Sequence, residues 1–247
     1  MVDEILDNLR VAVIGLGEAG GAIAADLVAA GVRVLGWDPA ATRIPDGVQP
    51  ARSASAALAG AQAVLSVNAA AVAFDVAREL VPTLSPGQLY ADLNTAAPRL
   101  KVALAAELQP TGALFVDVAL MAPVPGRGLR TPSLVSGPGA SRFAELFGRL
   151  GMPVEVVGRE PGEAAARKLL RSVFMKGIAA AAIESLAAAR ADGCEQWLHD
   201  ELTEVFHDAD AALLDRLLTG SRRHACRRAH EMDAATEMLV ELGWRRV

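Results

Sequence analysis

"VAVIGLGEAGGAIAADL", residues 11–27, sets Gly15, Gly17, Gly20 and Gly21 between an apolar run suited to a strand and a run suited to a helix. Glycine weakens both elements, because it loses the most backbone freedom on folding. Close approach of a phosphate group to the backbone would justify that cost; a loose turn is the plainer alternative. Gly15, Gly17 and Gly20 form G-x-G-x-x-G, with a strand ending at Gly15 and a helix beginning inside the motif. That is the setting a dinucleotide-binding fingerprint requires. Its first glycine permits the tight turn, its second lets a pyrophosphate reach the backbone, and its third lets helix and strand pack closely. The helix start then offers unpaired N–H groups and the positive dipole end to the phosphate. Leu16, Glu18 and Ala19 complete the cofactor-binding loop.

A second check lies in "VRVLGWDP". Asp38 ends the second strand, 23 residues after Gly15, near the spacing of about 20 expected for a ribose-binding carboxylate. There it would accept from both ribose hydroxyls and repel the 2′-phosphate of NADP. Arg43, five residues on, has the reach to meet such a phosphate. The expected cofactor is NAD or NADP, with NAD favoured. The alternatives are that Asp38 merely opens the "DP" turn, or that the domain is a methyltransferase-like Rossmann protein. Val67 and Asn68 follow the third strand, where Asn68 would approach the nicotinamide ribose or, more plainly, cap a helix.

From residue 10 to 160 short apolar runs alternate with helical patterns. "VAVIG", "VRVLGW", "AVLSV", "LYADL", "LFVDVA" and "SLVSG" read as strands, and "GAIAADLVAA", "AVAFDVARELV", "PRLKVALAAEL" and "ASRFAELFGRL" as helices. Near-continuous apolar strands between helices imply a parallel sheet covered on both faces. After "PVEVVG" (153–158) the pattern changes. Residues 163–192 hold no proline and one glycine, Gly177, enough for one helix about 45 Å long. Further helices are expected near 195–206, 208–218 and 221–242, with "LTGS" (218–221) read as a stop followed by a Ser N-cap. The fold class is therefore α/β: a Rossmann-type doubly wound parallel sheet over residues 1–160, followed by an all-α C-terminal domain over 161–247.

Hydrophobic residues make up 52% of the 247-residue chain, so it should fold. The net charge of −5 supplies no global basic field for nucleic acid, and the local cluster "SRRHACRR" reads as a solvated helix face. Cys194 and Cys226 lack any metal or disulfide spacing, so no metal is expected. The acidic start "MVDEILDNLR" has no apolar signal core, and the alanine-rich runs read as broken by charge before a membrane-spanning length. No membrane association and a cytoplasmic location are the expectation. Only three of the 24 basic residues are lysines, namely Lys101, Lys168 and Lys176.

These segments resemble the β-hydroxyacid dehydrogenase family, which includes 3-hydroxyisobutyrate and 6-phosphogluconate dehydrogenases. The glycine segment is similar to that family's G-L-G-x-M-G-x-x-M-A-x-N-L opening, with Ala19 and Ile23 for the methionines and Asp26 for the asparagine. "DLNTAAP" (92–98) looks like its D-x-S-T-x-x-P substrate segment, with Asn94 and Thr95 at the serine and threonine positions. "GEAAARKLLRS" (162–172) is similar to its G-x-G-x-x-x-K-x-x-x-N helix, which aligns Lys168 with the catalytic lysine. "MAPV" (121–124), "SGP" (136–138) and "RSVFMKG" (171–177) look like the phosphogluconate-dehydrogenase-like subgroup. Two departures bear on the substrate. Met121, Ala122 and Pro123 stand where better-known members have a carboxylate-binding serine–glycine–glycine, and Ser172 replaces an asparagine.

The resemblance implies hydride exchange between NAD(P) and a hydroxyl or keto carbon of a small, carboxylate-bearing substrate. Lys168 would be the general acid–base, which requires an amine that gives up its proton readily. Burial between two domains and the start of a helix both favour that. Ser172, one turn on, lies on the same face. Lys176 is about 80° round from Lys168. Asn94, Thr95, Met121, Ser172, Lys176 and His230 are the expected substrate contacts. His230, in "RRAHEMDAATEM", falls where the family closes over its substrate, although an ordinary surface or core histidine is the alternative. A homodimer through the helical domain is expected, because its alanine-rich faces exceed what one sheet domain would cover. The competing functions are an imine-type reductase on the same fold, against which Lys168 argues, and a non-catalytic NAD(P)-binding regulatory protein.

Overall fold

Strand β1 (Arg10–Ile14) is an interior strand of the sheet, third of eight in its order. In this computed structural model, which describes residues 8–243, the alternating side chains of β1 serve two cores. Val11 and Val13 point to one face of the sheet, Ala12 and Ile14 to the other, as the period of two in a strand dictates. The first face is closed by Ile23 and Leu27 of α1 (Glu18–Ala29) and by Phe143 and Phe147 of α5 (Ala140–Arg149). The second is closed by α2 (Ala54–Ala57), α3 (Ala73–Leu80) and α4 (Pro98–Leu108), through Ala57, Leu80, Leu104 and Leu108 among others.

The remaining strands are β2 (Arg33–Trp37), β3 (Gln49–Pro50), β4 (Ala63–Ser66), β5 (Leu89–Asp92), β6 (Leu114–Leu120), β7 (Ser133–Ser136) and β8 (Val154–Val156). They form one eight-stranded sheet in the order β3-β2-β1-β4-β5-β6-β7-β8. The chain leaves β1 in one direction through β2 and β3, then returns to build outward from β4. That reversal makes a topological switch point between β1 and β4, the place where such sheets bind ligands at their carboxyl ends. Ile14 pairs with both Trp37 and Ser66, so Gly15, Asp38 and Val67 share that edge.

The sheet is parallel with one exception: β6 and β7 run antiparallel. Residues 121–132 between them hold a 3-10 turn, Gly128–Arg130, in place of a crossover helix. Without a helix to carry the chain back across the sheet, the next strand returns in the opposite sense.

Four helices follow: α6 (Glu163–Asp192), α7 (Glu195–His207), α8 (Ala211–Arg223) and α9 (Ala225–Glu241). The expected stop at "LTGS" is corrected, because α8 runs through Gly220 and breaks at His224. Arg228 lies over Gly220 and donates to Ser221 Oγ at 2.6 Å, and the N-cap of α8 is Asp210, which accepts from Leu213 N–H. A second correction concerns length. Only Lys176 and Glu184 are charged between Ser172 and Ala189, and α6 is long and apolar enough, by length and composition alone, to cross a membrane, with mean hydropathy 1.4. The chain divides into two compact units, 1–172 and 173–247, the division falling within α6.

Candidate functional site

Gly15 follows β1 with φ +99° and donates to Trp37 O at 2.8 Å. A Cβ there would stand 2.2 Å from Val67 O, and one on Gly20 would stand 1.9 Å from Gly15 O. Both positions exclude a side chain, so the loop and α1 close directly onto the end of β4. Gly17 differs. It is the N-cap of α1, no side chain caps that helix, and a Cβ on it would meet nothing within 4 Å. The three glycines therefore divide as the motif requires: two close the turn, and the middle one leaves room beside a helix start.

Asp38 is held at the same edge. Its Oδ2 accepts from Leu16 N–H and its Oδ1 from Ala40 N–H, both at 2.8 Å. The carboxylate thus opens the "DP" turn and also fixes the glycine loop. A carboxylate offers about four acceptor sites, so two backbone bonds leave capacity for ribose hydroxyls. Leu16, Gly17, Glu18, Asp38, Thr42 and Arg43 line a cleft of about 500 Å³. Thr42 is a member that sequence reasoning missed. Asn68 donates to Ser66 Oγ at 2.9 Å beside Gly15, which places it at the switch point rather than in a helix cap. These residues fit a dinucleotide: an uncapped helix start, a middle glycine with open space, and a carboxylate at the end of β2.

A second cluster forms where β4 and β5 end, beside the middle of β6. Lys168 Nζ donates to Thr95 Oγ1 at 2.7 Å. Asn94, Thr95, Ala96, Asp117, Ala165 and Lys168 line one small cleft. Asn94 is buried, and its amide donates to Ser66 Oγ at 3.2 Å and to Asp92 Oδ1. Those two acceptors fix its orientation, and its Oδ1 is buried with no hydrogen-bond partner among the described residues. Burying an amide oxygen without a donor is costly, which marks a place for a donor from outside the chain.

Beneath this cluster lies a group that sequence reasoning did not place in the site. Lys101, 0% exposed, ion-pairs with Asp92 Oδ2 at 2.6 Å and Asp117 Oδ1 at 3.1 Å. It also donates to Asp92 O at 3.0 Å and Asn94 O at 2.8 Å. Asp117 Oδ2 accepts from Ala165 N–H at 2.9 Å, and Ser136 Oγ accepts from Ala164 N–H at 3.0 Å. Those two N–H groups belong to the first turn of α6 and would otherwise lack partners. The available signal was helical phase: Lys101 shares a face with Leu104 and Leu108, both buried. Neighbouring Tyr90 is also buried, which pushes its phenol above the ordinary range; the Asp92 charge adds to this and Ser66 opposes it.

The other expected substrate residues are less concentrated. Met121 is half-buried, and its carbonyl accepts from Arg171 Nη1 at 3.2 Å; Arg171, three residues past Lys168, is a second residue that sequence reasoning missed. Ser172 is half-buried one turn beyond Lys168. Lys176 and His230 are exposed and belong to the second unit. Among the described residues no group of His, Cys, Asp and Glu could hold a metal ion.

Residues 10–129 match the NAD binding domain of 6-phosphogluconate dehydrogenase, and residues 189–247 match DUF1932, a domain of unknown function. An uncharacterized 28.5 kDa protein of Methanothermus fervidus is 30% identical over 149 residues, 58% of this chain, and the match spans 55% of that protein's length. A solved conserved protein of unknown function, described as structurally similar to 3-hydroxyacid dehydrogenases, is 31% identical. That alignment covers 94% of this chain and 90% of that one, with TM-score 0.65. An imine reductase from Streptomyces aurantiacus shares the fold at 19% identity and TM-score 0.79, with 96% of this chain and 88% of that one covered. The chain joins an NAD-binding domain of the 6-phosphogluconate dehydrogenase type to a DUF1932 domain, and so belongs to one family with that solved conserved protein.

Proposed function

We propose that the protein is an NAD(P)-dependent oxidoreductase acting on a hydroxyl or keto carbon of a small carboxylate-bearing substrate, with Lys168 as general acid–base. The observation that carries this reading is the Lys168–Thr95 contact at 2.7 Å, at the carboxyl edge of a sheet whose switch point holds the glycine loop. The nicotinamide, when bound, accepts or gives the hydride. The glycine loop receives the pyrophosphate, and Asp38 receives the adenosine ribose, which favours NAD; Arg43 and Thr42 border the same cleft. Asn94 Oδ1, buried without a donor, accepts from a polar group of the substrate other than the reacting hydroxyl. Thr95, which accepts from Lys168 Nζ, holds the amine in line to take the reacting hydroxyl's proton, Ser172 borders the substrate one helical turn on, and Met121 borders it from the loop after β6. Lys176 and His230 belong to the second unit and carry no step in this reading.

The second unit supports a homodimer. Phe174, Ile183, Trp197, Phe206, Met232 and Val240 are all exposed on its helices, and such a patch marks an interaction surface.

The test is NADH or NADPH formation across a panel of 2- and 3-hydroxy acids. Lys168→Ala should lower turnover on any active member by about 100-fold or more. Turnover within a few-fold of the parent sinks the assignment. Reduction of a cyclic imine without loss in Lys168→Ala favours the imine reaction instead, and tight cofactor binding with no turnover favours a binding protein.

A further inference from the structure

Buried Lys101 does not line the cleft that would hold the substrate, and nothing in hydride transfer calls for it. It nevertheless ties together the two pieces of chain that carry Thr95 and Lys168. On one side, the Lys101 ammonium holds Asp92 O and Asn94 O, which sets the backbone immediately before Thr95. On the other, it ion-pairs with Asp117 Oδ1 at 3.1 Å without a hydrogen bond, while the second oxygen of that carboxylate caps Ala165, three residues before Lys168. One ammonium and two carboxylates leave a formal surplus of one negative charge. The positive end of α6 offsets that surplus. Asp117 therefore has to keep both ties at once, and it can do so because a carboxylate has two equivalent acceptor oxygens.

We propose that Lys101 and Asp117 are positioning residues that fix the first turn of α6 against the Asp92–Thr95 loop, and so set the Lys168–Thr95 contact. The inference rests on the reading of Lys168 as the acid–base group, but its test does not depend on turnover. Asp117→Asn keeps the shape and removes one acceptor. The single amide oxygen can face Lys101 or Ala165 N–H, not both, so one tie is cut.

The scarcity of lysine supplies the measurement. Reductive methylation of the full chain with ¹³C-formaldehyde labels accessible amines, and buried Lys101 is excluded. Lys168 and Lys176 then give separate methyl resonances, assigned with Lys176→Arg. Thr95→Val removes the acceptor directly and should move the Lys168 resonance toward the Lys176 position. Asp117→Asn should move it at least half as far, with Lys176 unchanged. The double variant should move it no further than Thr95→Val alone, since both substitutions undo the same contact. A Lys168 resonance that stays in place in folded Asp117→Asn or in Thr95→Val overturns the proposal, and so does a double variant whose shifts add. If Asp117→Asn does not fold, Ser136→Ala loosens the same turn by removing the acceptor of Ala164 N–H and a longer bond to Asp117 Oδ2, while leaving the Asp117–Ala165 bond in place. An intermediate shift then supports the proposal, and an unmoved resonance overturns it. Cofactor binding, followed separately with NAD and NADP, should change less than twofold in these variants. Loss of cofactor binding in the parent would count against the oxidoreductase reading and leave the methyl result standing by itself.

Discussion

The two units solve the problem of apolar surface in opposite ways. In residues 1–172 the sheet buries Val11, Val13, Leu65, Phe115, Phe143 and Phe147 almost completely, because strand alternation and two helical layers give every inward side chain a cover. In residues 173–247 the buried hydrophobic residues, among those described, are Ala188 and Ala189. The large ones face outward or line a groove of about 640 Å³ with Trp197, Leu202, Phe206 and Met238 in its walls. Polar groups follow the same division. The sheet unit buries Lys101, Asp92, Asp117 and Ser136, and the buried polar residues, among those described, all lie within it. The first unit holds a few groups at fixed positions; the second leaves most of its large apolar side chains exposed.

The comparison is broken most sharply at Lys101. Lys101→Met leaves two buried carboxylates without their shared cation, a change that typically costs about 3–5 kcal/mol. Urea unfolding of the full chain should show that loss. Replacing Lys176, which is exposed in the second unit, should change stability by less than about 0.5 kcal/mol. A Lys101→Met protein as stable as the parent would mean that the burial contrast carries no energy.

On the other side of the comparison stands Trp197. If the helical unit meets a second copy, Trp197→Asp should weaken the dimer by about 2 kcal/mol, the size of an interface hot spot, or roughly 30-fold in dissociation constant. Sedimentation velocity over a concentration series measures it. Near-ultraviolet and urea signals of the sheet unit should be preserved, since Trp197 belongs to the second unit. A monomeric parent would remove the dimer.

What was legible in the sequence follows the same line. The strands, the glycine loop and Asp38 could be read because each is encoded locally: a short apolar run, a fixed glycine spacing, a carboxylate at a strand end. The Lys168–Thr95 meeting was suggested only by family resemblance, since the two residues lie 73 positions apart. The Lys101 group was missed because its meaning depends on β5 and β6 bringing Asp92 and Asp117 side by side, although the buried phase of α4 pointed to it. The tie from Asp26 Oδ2 to Leu129 N–H spans 103 positions and leaves no local mark. The antiparallel β7 and the unbroken passage of α8 through Gly220 were missed for a related reason. The first depends on what the 121–132 connection lacks, the second on a distant arginine covering a glycine.

Within the sheet unit, Gly20 and Gly17 separate fold from binding. Gly20→Ala puts a methyl group against Gly15 O, so both the melting temperature and NAD affinity should fall, the latter by about tenfold or about 1.4 kcal/mol. Gly17→Ala meets nothing in the protein. Its melting temperature should stay within about 1 °C, while NAD affinity falls by a similar factor because the added methyl occupies the pyrophosphate approach. Calorimetric titration with NAD and a thermal melt of each variant check the pair. Full affinity in Gly17→Ala would place the pyrophosphate elsewhere.

The smallest effect is expected where charge meets water. Arg190 donates to both carboxylate oxygens of Glu195, at 2.8 and 2.5 Å. These hydrogen bonds hold the Glu195 carboxyl below its usual range. The folded state therefore binds that proton less readily than the unfolded chain. Stability from the pair is present above the unfolded glutamate value of about 4.3 and is lost as the pH falls through the lower folded one. Both side chains are solvent-exposed, so the pair is screened by salt and sits at the low end of ion-pair contributions. Glu195→Gln should lower the melting temperature slightly at about pH 7 in low salt, with the gap closing near pH 3 and in about 0.5 M salt. A gap that persists at low pH would show that the substitution disturbs the start of α7 by packing rather than by charge, and that the helical unit has a fixed interior after all.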